Sequence, residues 1–269
     1  MNTLKLSQTY TLTSAQISEF QKNGHILLRQ VASDEEIDFF QPIIHQVSYK
    51  HNSETRKLEE RDTYGKAFLQ TTNLWQHDED VKQFVFARRF AQLAADLLGV
   101  EKVRLYHDQA LYKEPRGGYT PWHQDQYYWP LDTDKTITMW MPLIDITEEM
   151  GILTFASGSH REGFIEHIAI SDKSEAMLSE YVSSKGFAVT KPKFMKAGDA
   201  TFHSGRTLHS AGGNNSETIT REVMTIIYFA DGANVTPSQN ENQEADRLAW
   251  LGGLDPGEKA MSVLNPILN

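Results

Sequence analysis

Cysteine is absent from this 269-residue chain, which excludes a disulfide framework, a thiolate metal site and a cysteine nucleophile. Also missing is any apolar run of about 18 residues, so no membrane-spanning helix is expected. The opening MNTLKLSQTY has no apolar signal region. Positive charge is scarce: 26 Lys and Arg stand against 36 Asp and Glu, a net charge of −10. No Lys/Arg run exceeds two residues, so a nucleic-acid or anionic-membrane surface is not expected. These absences point to a reducing cytoplasm and to a small-molecule partner, and they specify no oligomeric state. The length suits one domain spanning residues 1–269, with no linker or internal repeat to divide it.

The first third of the chain patterns as helix and the remainder as strand. Thr13 caps a short helix to about Asn23, and Ser33 with Glu36 forms a capping box for a helix carrying Ile37, Phe40, Ile44 and Val47. His25–Leu28 between them reads as a strand. Residues from about Lys50 to Lys66 have no apolar period and predict a mobile loop that closes over a pocket, with Lys50, Arg56, Lys57, Arg61 and Lys66 as a local basic patch. Val81, Phe84, Val85, Phe90, Leu93 and Leu97 predict one helix over Asp78–Leu98, ended by Gly99. Strands are predicted at Val103–Lys113, Trp122–Tyr128, Thr136–Ile144, Ile152–Ala156, Thr201–His203 and Val223–Phe229, with a helix near Asp172–Ser183. Helices packed on a jelly-roll sandwich fit this order.

Chemistry concentrates in Pro121-Trp122-His123-Gln124-Asp125. On an extended segment His123 and Asp125 share a face, side by side as N and O ligands. His209 lies 84 residues beyond Asp125. Two histidines and one carboxylate on one face of an octahedral ion leave three positions open, the arrangement of non-haem Fe(II) oxygenases. His203 is a rival ligand, since six residues is the same strand parity, although Ser204-Gly205 invites a bend between them. Arg221 opens the strand after the His209 segment, where its planar fork could pair with a carboxylate. His107 and His160 read as structural, Asp199 as a turn residue, and Tyr127, Tyr128 and Trp129 as packing from which at least one ring lines the cavity.

In order and spacing, LTSAQISEFQKNGHILLRQVASDEEI, PWHQDQYYWP, MWMPLID, ILTFASGSHREGF, GDATFHSGRTLHSAGGN with Arg221, and GLDPGEKAMSVLNP resemble the phytanoyl-CoA dioxygenase (PhyH) family over nearly the whole chain. The resemblance implies a double-stranded β-helix, Fe(II) held by His123, Asp125 and His209, and 2-oxoglutarate whose distal carboxylate pairs with Arg221. Trp140 and Gln109 fall where the family places cosubstrate-pocket residues. Two residues after the distal histidine the family commonly has a small hydroxyl, but here stands Ala211, which makes Ser210 the candidate replacement. Tyr127 and Trp129 are candidate substrate contacts. The implied reaction is hydroxylation of a C–H in a small organic molecule, with O₂ consumed and succinate and CO₂ released. Asp125 disfavours chlorination, because the related halogenases carry a small residue there. Two alternatives share the ligand set: a cupin-like metalloenzyme without 2-oxoglutarate, and a non-catalytic jelly-roll binding protein.

Overall fold

Both predicted caps form, and the one at Thr13 proves to be a capping box with Gln16: Thr13 accepts from the Gln16 N–H ahead of α1 (Ser14–Asn23), and Ser33 from the Glu36 N–H ahead of α2 (Asp34–His51). The computed structural model describes Leu6, residues 8–165 and residues 168–269, so most of the opening segment read for a signal lies outside the described residues. Between the helices runs β1 (His25–Leu28), as its alternation predicts.

The segment predicted as a mobile loop is held by polar contacts instead. α2 runs on to His51, a 3₁₀ turn covers Leu58–Glu60, and α3 (Thr63–Ala67) is capped by Asp62, which accepts from the Gly65 N–H at 2.9 Å. Arg61 is buried against the Glu114 carboxylate and donates to the Arg56 carbonyl at 2.9 Å, and Arg56 pairs with Glu54 at 2.6 Å. Two of the five cations in the expected basic patch are thereby neutralised. Apolar periodicity could not reveal this, because charge pairing does the anchoring.

After β2 (Leu69–Thr72), the single helix predicted over Asp78–Leu98 is two, α4 (Glu79–Val85) and α5 (Arg88–Leu98). The apolar spacing lengthens to five residues between Val85 and Phe90. On an unbroken helix that step would swing Phe90 off the stripe, whereas the break at Phe86-Ala87 returns it to the core, 5.2 Å from the Phe84 ring.

The remaining elements are β3 (Val103–Tyr112), β4 (Thr120–His123), β5 (Thr136–Pro142), β6 (Ile146–Thr147), β7 (Leu153–Ser157), α6 (Asp172–Lys185), β8 (Ala188–Thr190), β9 (Phe194–Met195), β10 (Ala200–Ser204), β11 (His209–Ala211), β12 (Val223–Ala230) and α7 (Glu241–Trp250). A six-stranded sheet has the order β1-β10-β5-β12-β3-β2, a four-stranded sheet the order β4-β11-β7-β8, and β6 pairs with β9. Every pairing is antiparallel, giving the predicted jelly roll. Among the described residues no helix is long and apolar enough to cross a membrane.

Alternation then assigns the two faces of the large sheet. Ile137, Met139 and Met141 of β5, with Met224, Ile226 and Tyr228 of β12, pack under the α1, α2, α4 and α5 layer. Thr138, Trp140, Thr225 and Ile227 face the other way, into the space between the sheets. A bulge alters β3: Tyr228 pairs with Leu105 and Ile227 with His107, so Tyr106 has no partner. That extra residue flips the parity, sending His107, Gln109 and Leu111 to the inner face.

The buried pair Arg89–Glu36, bonded at 2.8 and 3.0 Å, ties α5 to the start of α2. Glu36→Ala would strand the guanidinium in the core, and we expect about 3–5 kcal/mol less unfolding free energy by urea titration. A loss under about 1 kcal/mol would mean that solvent reaches Arg89 once its partner is gone.

Candidate metal centre

His123 closes β4 and His209 opens β11, and the antiparallel register sets them directly opposite each other. Their rings lie 4.1 Å apart, centroid to centroid. The strand predicted over Trp122–Tyr128 stops at His123, and a 3₁₀ turn covers Asp125–Tyr128. The turn forms because the Gln126 N–H donates to Gly205 and the Tyr127 and Trp129 N–H groups bond back along their own segment. Gln124 stays extended, with φ −117° and ψ 127°, so His123 and Asp125 still project together. The Gln124 amide points away and bonds the Gly163 and Arg206 carbonyls and the Ile165 N–H.

His123 Nδ1 lies 2.7 Å from the Pro121 carbonyl and His209 Nδ1 3.0 Å from that of Thr207. Carbonyls only accept, so each Nδ1 carries the proton and Nε2 of the neutral ring is bare. Burial, with His123 beside it, holds His209 well below the usual histidine range. Both Nε2 atoms sit 3.5 Å from Asp125 Oδ1, and the three donor atoms lie within 4.8 Å of one another. Two lone pairs and a carboxylate oxygen thus converge with no proton between them, which a divalent cation stabilises. Neighbouring donors on an octahedral ion with bonds near 2.1 Å are about 3 Å apart, so the set fits such an ion with a small contraction.

The other carboxylate oxygen is tied down. Thr138 Oγ1 donates to Asp125 Oδ2 at 2.8 Å, and His203 Nε2 lies 3.2 Å from it. His203 thus bonds the carboxylate from β10, and the group that could hold a metal ion comprises His123, Asp125 and His209. The bend between the two histidine strands is at Gly205, where a Cβ would meet Thr136 Oγ1 at 2.4 Å and the Trp129 ring at 2.5 Å. It carries the chain from the large sheet to the small one. Thr138→Val keeps the shape and removes one donor to Oδ2; metal affinity is expected to fall about 10–100-fold in an Mn(II) titration, and an unchanged affinity would assign that orientation to His203 alone.

These residues line a cavity of about 580 Å³ that also takes in Arg221, Trp140, Gln109 and Trp129. Arg221 is 1% exposed and packs over the Trp140 ring at 5.3 Å. It donates to the Gly151 carbonyl at 2.6 Å, its Nε is unpartnered, and no ion pair to it forms among the described residues. Burial pushes its pKa down to about 9, so it stays cationic at neutral pH. Lys113 is buried beside it, pulled well below the usual lysine range by burial and by Arg221. A Cβ on Gly151 would meet the Gly212 carbonyl at 2.5 Å and Lys113 Cε at 3.1 Å, so that glycine permits the close packing of both cations.

Three expectations need correction. Ser210 does not line the cavity: alternation along β11 turns His209 and Ala211 inward and Ser210 outward. Thr120, the residue paired with Ala211 across the strands, lines the cavity and supplies a hydroxyl there. Tyr127 also lies outside the lining, its hydroxyl 3.3 Å from Asn242 Nδ2, and Tyr128 takes the place beside Trp129. His107, read as structural, faces the cavity because of the β3 bulge. His160, bonded to the Gln21 carbonyl at 3.2 Å, and Asp199, which accepts from Arg29 and from the Gln30 and Lys196 N–H groups, are structural as read.

Comparison with known proteins agrees with this geometry. Over 214 residues the chain is 29% identical to the "Probable alpha-ketoglutarate-dependent hypophosphite dioxygenase" of Stutzerimonas stutzeri, covering 76% of this chain and 65% of that protein. Over 147 residues it is 27% identical to the phytanoyl-CoA dioxygenase domain-containing protein 1 of Danio rerio, covering 52% of this chain and 50% of that one. The matched segments thus span less than two thirds of both relatives. Among solved structures, the alpha-ketoglutarate-dependent carbocyclase SnoK of nogalamycin biosynthesis superposes with a TM-score of 0.80 at 24% identity, covering 98% of this chain and 100% of that one. The epimerase SnoN, solved with Fe3+, alpha-ketoglutarate and nogalamycin RO, gives 0.78 at 21% identity, covering 95% and 98%. The family model for phytanoyl-CoA dioxygenase (PhyH) matches residues 20–223, and the chain belongs to that family.

Proposed function

We propose that residues 1–269 form one catalytic domain, an Fe(II)- and 2-oxoglutarate-dependent oxygenase that hydroxylates a C–H bond of a small organic molecule. The observation that carries this is a pairing within one cavity: three donor atoms converge in it, and the same cavity holds a buried guanidinium with no carboxylate partner among the described residues. The cosubstrate named for the Stutzerimonas relative supports the same reading.

In this reading His123, Asp125 and His209 would hold the iron at one end of the cavity that also contains Arg221. The bound iron with 2-oxoglutarate supplies the oxidising chemistry, and the products are hydroxylated substrate, succinate and CO₂. The protein positions and shields. The Pro121 and Thr207 carbonyls fix the imidazole tautomers, and Thr138 with His203 keeps Asp125 Oδ1 forward. Arg221 receives the distal carboxylate, with Trp140 beneath its plane. The Thr120 hydroxyl takes the role open at Ala211: Lys113 Nζ lies 3.4 Å from Thr120 Oγ1, which leaves the hydroxyl proton for the carboxylate. Gln109 lines the same cavity and accepts from the Gln70 amide.

A ligand comparison tests the assignment. Under argon, with Fe(II) bound, 2-oxoglutarate should bind at least about 30-fold more tightly than 2-oxopentanoate, which has the same keto acid and no distal carboxylate. Equal affinities would remove Arg221 from the cosubstrate site and favour the cupin-like alternative.

A further inference from the structure

On the side of α7 the cavity has a different character. Tyr64, Phe68, Tyr128, Trp129 and Trp250 supply aromatic walls. Asp246 of α7 places its carboxylate among them and accepts from the Tyr106 hydroxyl at 2.9 Å. Among the described residues Arg221 is the only Lys or Arg in the lining, and it stands beside Trp140.

Besides the carboxylate of Asp246, this side of the cavity presents two further acceptors. His107 is 6% exposed, its Nδ1 lies 3.4 Å from the Asp108 carbonyl, and its Nε2 has no partner among the described residues. Burial pushes this histidine down to about 4, so the ring is neutral and Nε2 is a bare acceptor. Asn242 donates to the Tyr127 hydroxyl at 3.3 Å, and its carbonyl oxygen has no hydrogen-bond partner among the described residues. Tyr64 donates its hydroxyl to Gln70 Oε1 and Gln70 donates one amide N–H to Gln109 Oε1, which leaves the second Gln70 N–H and the Gln109 amide nitrogen as donors. Tyr64 lies within electrostatic range of both Asp246 and Asp125, so this region adjoins the metal centre.

We propose that this part of the cavity is a subsite for a cationic amine, with Asp246 as counter-charge, His107 Nε2 and Asn242 as further acceptors, and the aromatic walls against the cation and its carbon frame. This rests on the oxygenase reading of the same cavity and adds the class of substrate. An ammonium group brings donors and charge where the site offers acceptors, a carboxylate and ring faces. Burial raises the Asp246 carboxyl to about 7, so that group is short of a counter-charge that a bound amine supplies. A substrate carboxylate or phosphate would meet Asp246 with like charge.

The test uses the anaerobic Fe(II) protein saturated with 2-oxoglutarate, which keeps acids out of the Arg221 site. Calorimetry compares 2-phenylethylamine, 2-phenylethanol and phenylacetate, three probes of similar shape. Phenylethylamine should bind about tenfold or more tightly than the alcohol, with the acid weakest. Asp246→Asn, which retains the shape and an acceptor for Tyr106, should bring amine and alcohol within about twofold of each other while leaving 2-oxoglutarate affinity unchanged. Wild-type protein that favours the alcohol or the acid, or binds none of the three, overturns the proposal without any variant. So does an amine preference that survives in Asp246→Asn. Failure to bind 2-oxoglutarate in the preliminary titration would instead count against the oxygenase reading.

Discussion

Arg221→Leu is expected to raise the dissociation constant of 2-oxoglutarate roughly 30-fold or more, while Fe(II) still binds. The guanidinium is 1% exposed, lies over Trp140 and has no carboxylate partner among the described residues. A cosubstrate carboxylate entering that space is desolvated against a fixed planar fork, and removing the fork leaves the anion without its partner. Losses of that kind cost about 2–5 kcal/mol. Arg221→Lys should recover only part, because a point charge replaces two parallel donors. A constant within about twofold of wild type, or about 0.4 kcal/mol, would show that the distal carboxylate binds elsewhere.

Asp125→Ala should have the larger effect on the metal. It removes the only anionic donor and leaves two neutral imidazoles, so Fe(II) affinity should fall by more than the 10–100-fold typical of losing a ligand's hydrogen-bond partner. The visible charge-transfer band expected from anaerobic Fe(II) with 2-oxoglutarate should vanish. The fold should persist, since β4 and β11 remain paired and Thr138 and His203 lose only a shared acceptor. Retention of the band in Asp125→Ala would take that carboxylate out of the metal centre.

How far the sequence reveals this molecule varies with the kind of contact. Helix caps at Thr13 and Ser33 and strands with uninterrupted alternation are legible, because local spacing determines them. That His123 and Asp125 share a face follows from parity, whereas His209 as third member is what the family resemblance implies, and the β4–β11 register brings it opposite His123. What alternation alone mispredicts traces to a bulge or a face. Tyr106 has no mark in the sequence that makes it the extra residue of β3, yet it turns His107 into the cavity. Ser210 is adjacent to a ligand in sequence and on the opposite face in space, whereas Thr120 becomes a candidate only once its register with Ala211 is known. The anchoring of Arg61 by Glu114 joins residues 53 apart, a separation that local periodicity does not report.

The most direct test of the central claim follows O₂ and succinate together. Purified protein given 2-oxoglutarate should consume O₂ and form succinate only when Fe(II) is present. Asp125→Ala under the same conditions should form none. Succinate production that is indifferent to iron, or that continues at the wild-type rate in Asp125→Ala, would contradict the oxygenase account, as would its absence from protein shown to bind both iron and 2-oxoglutarate.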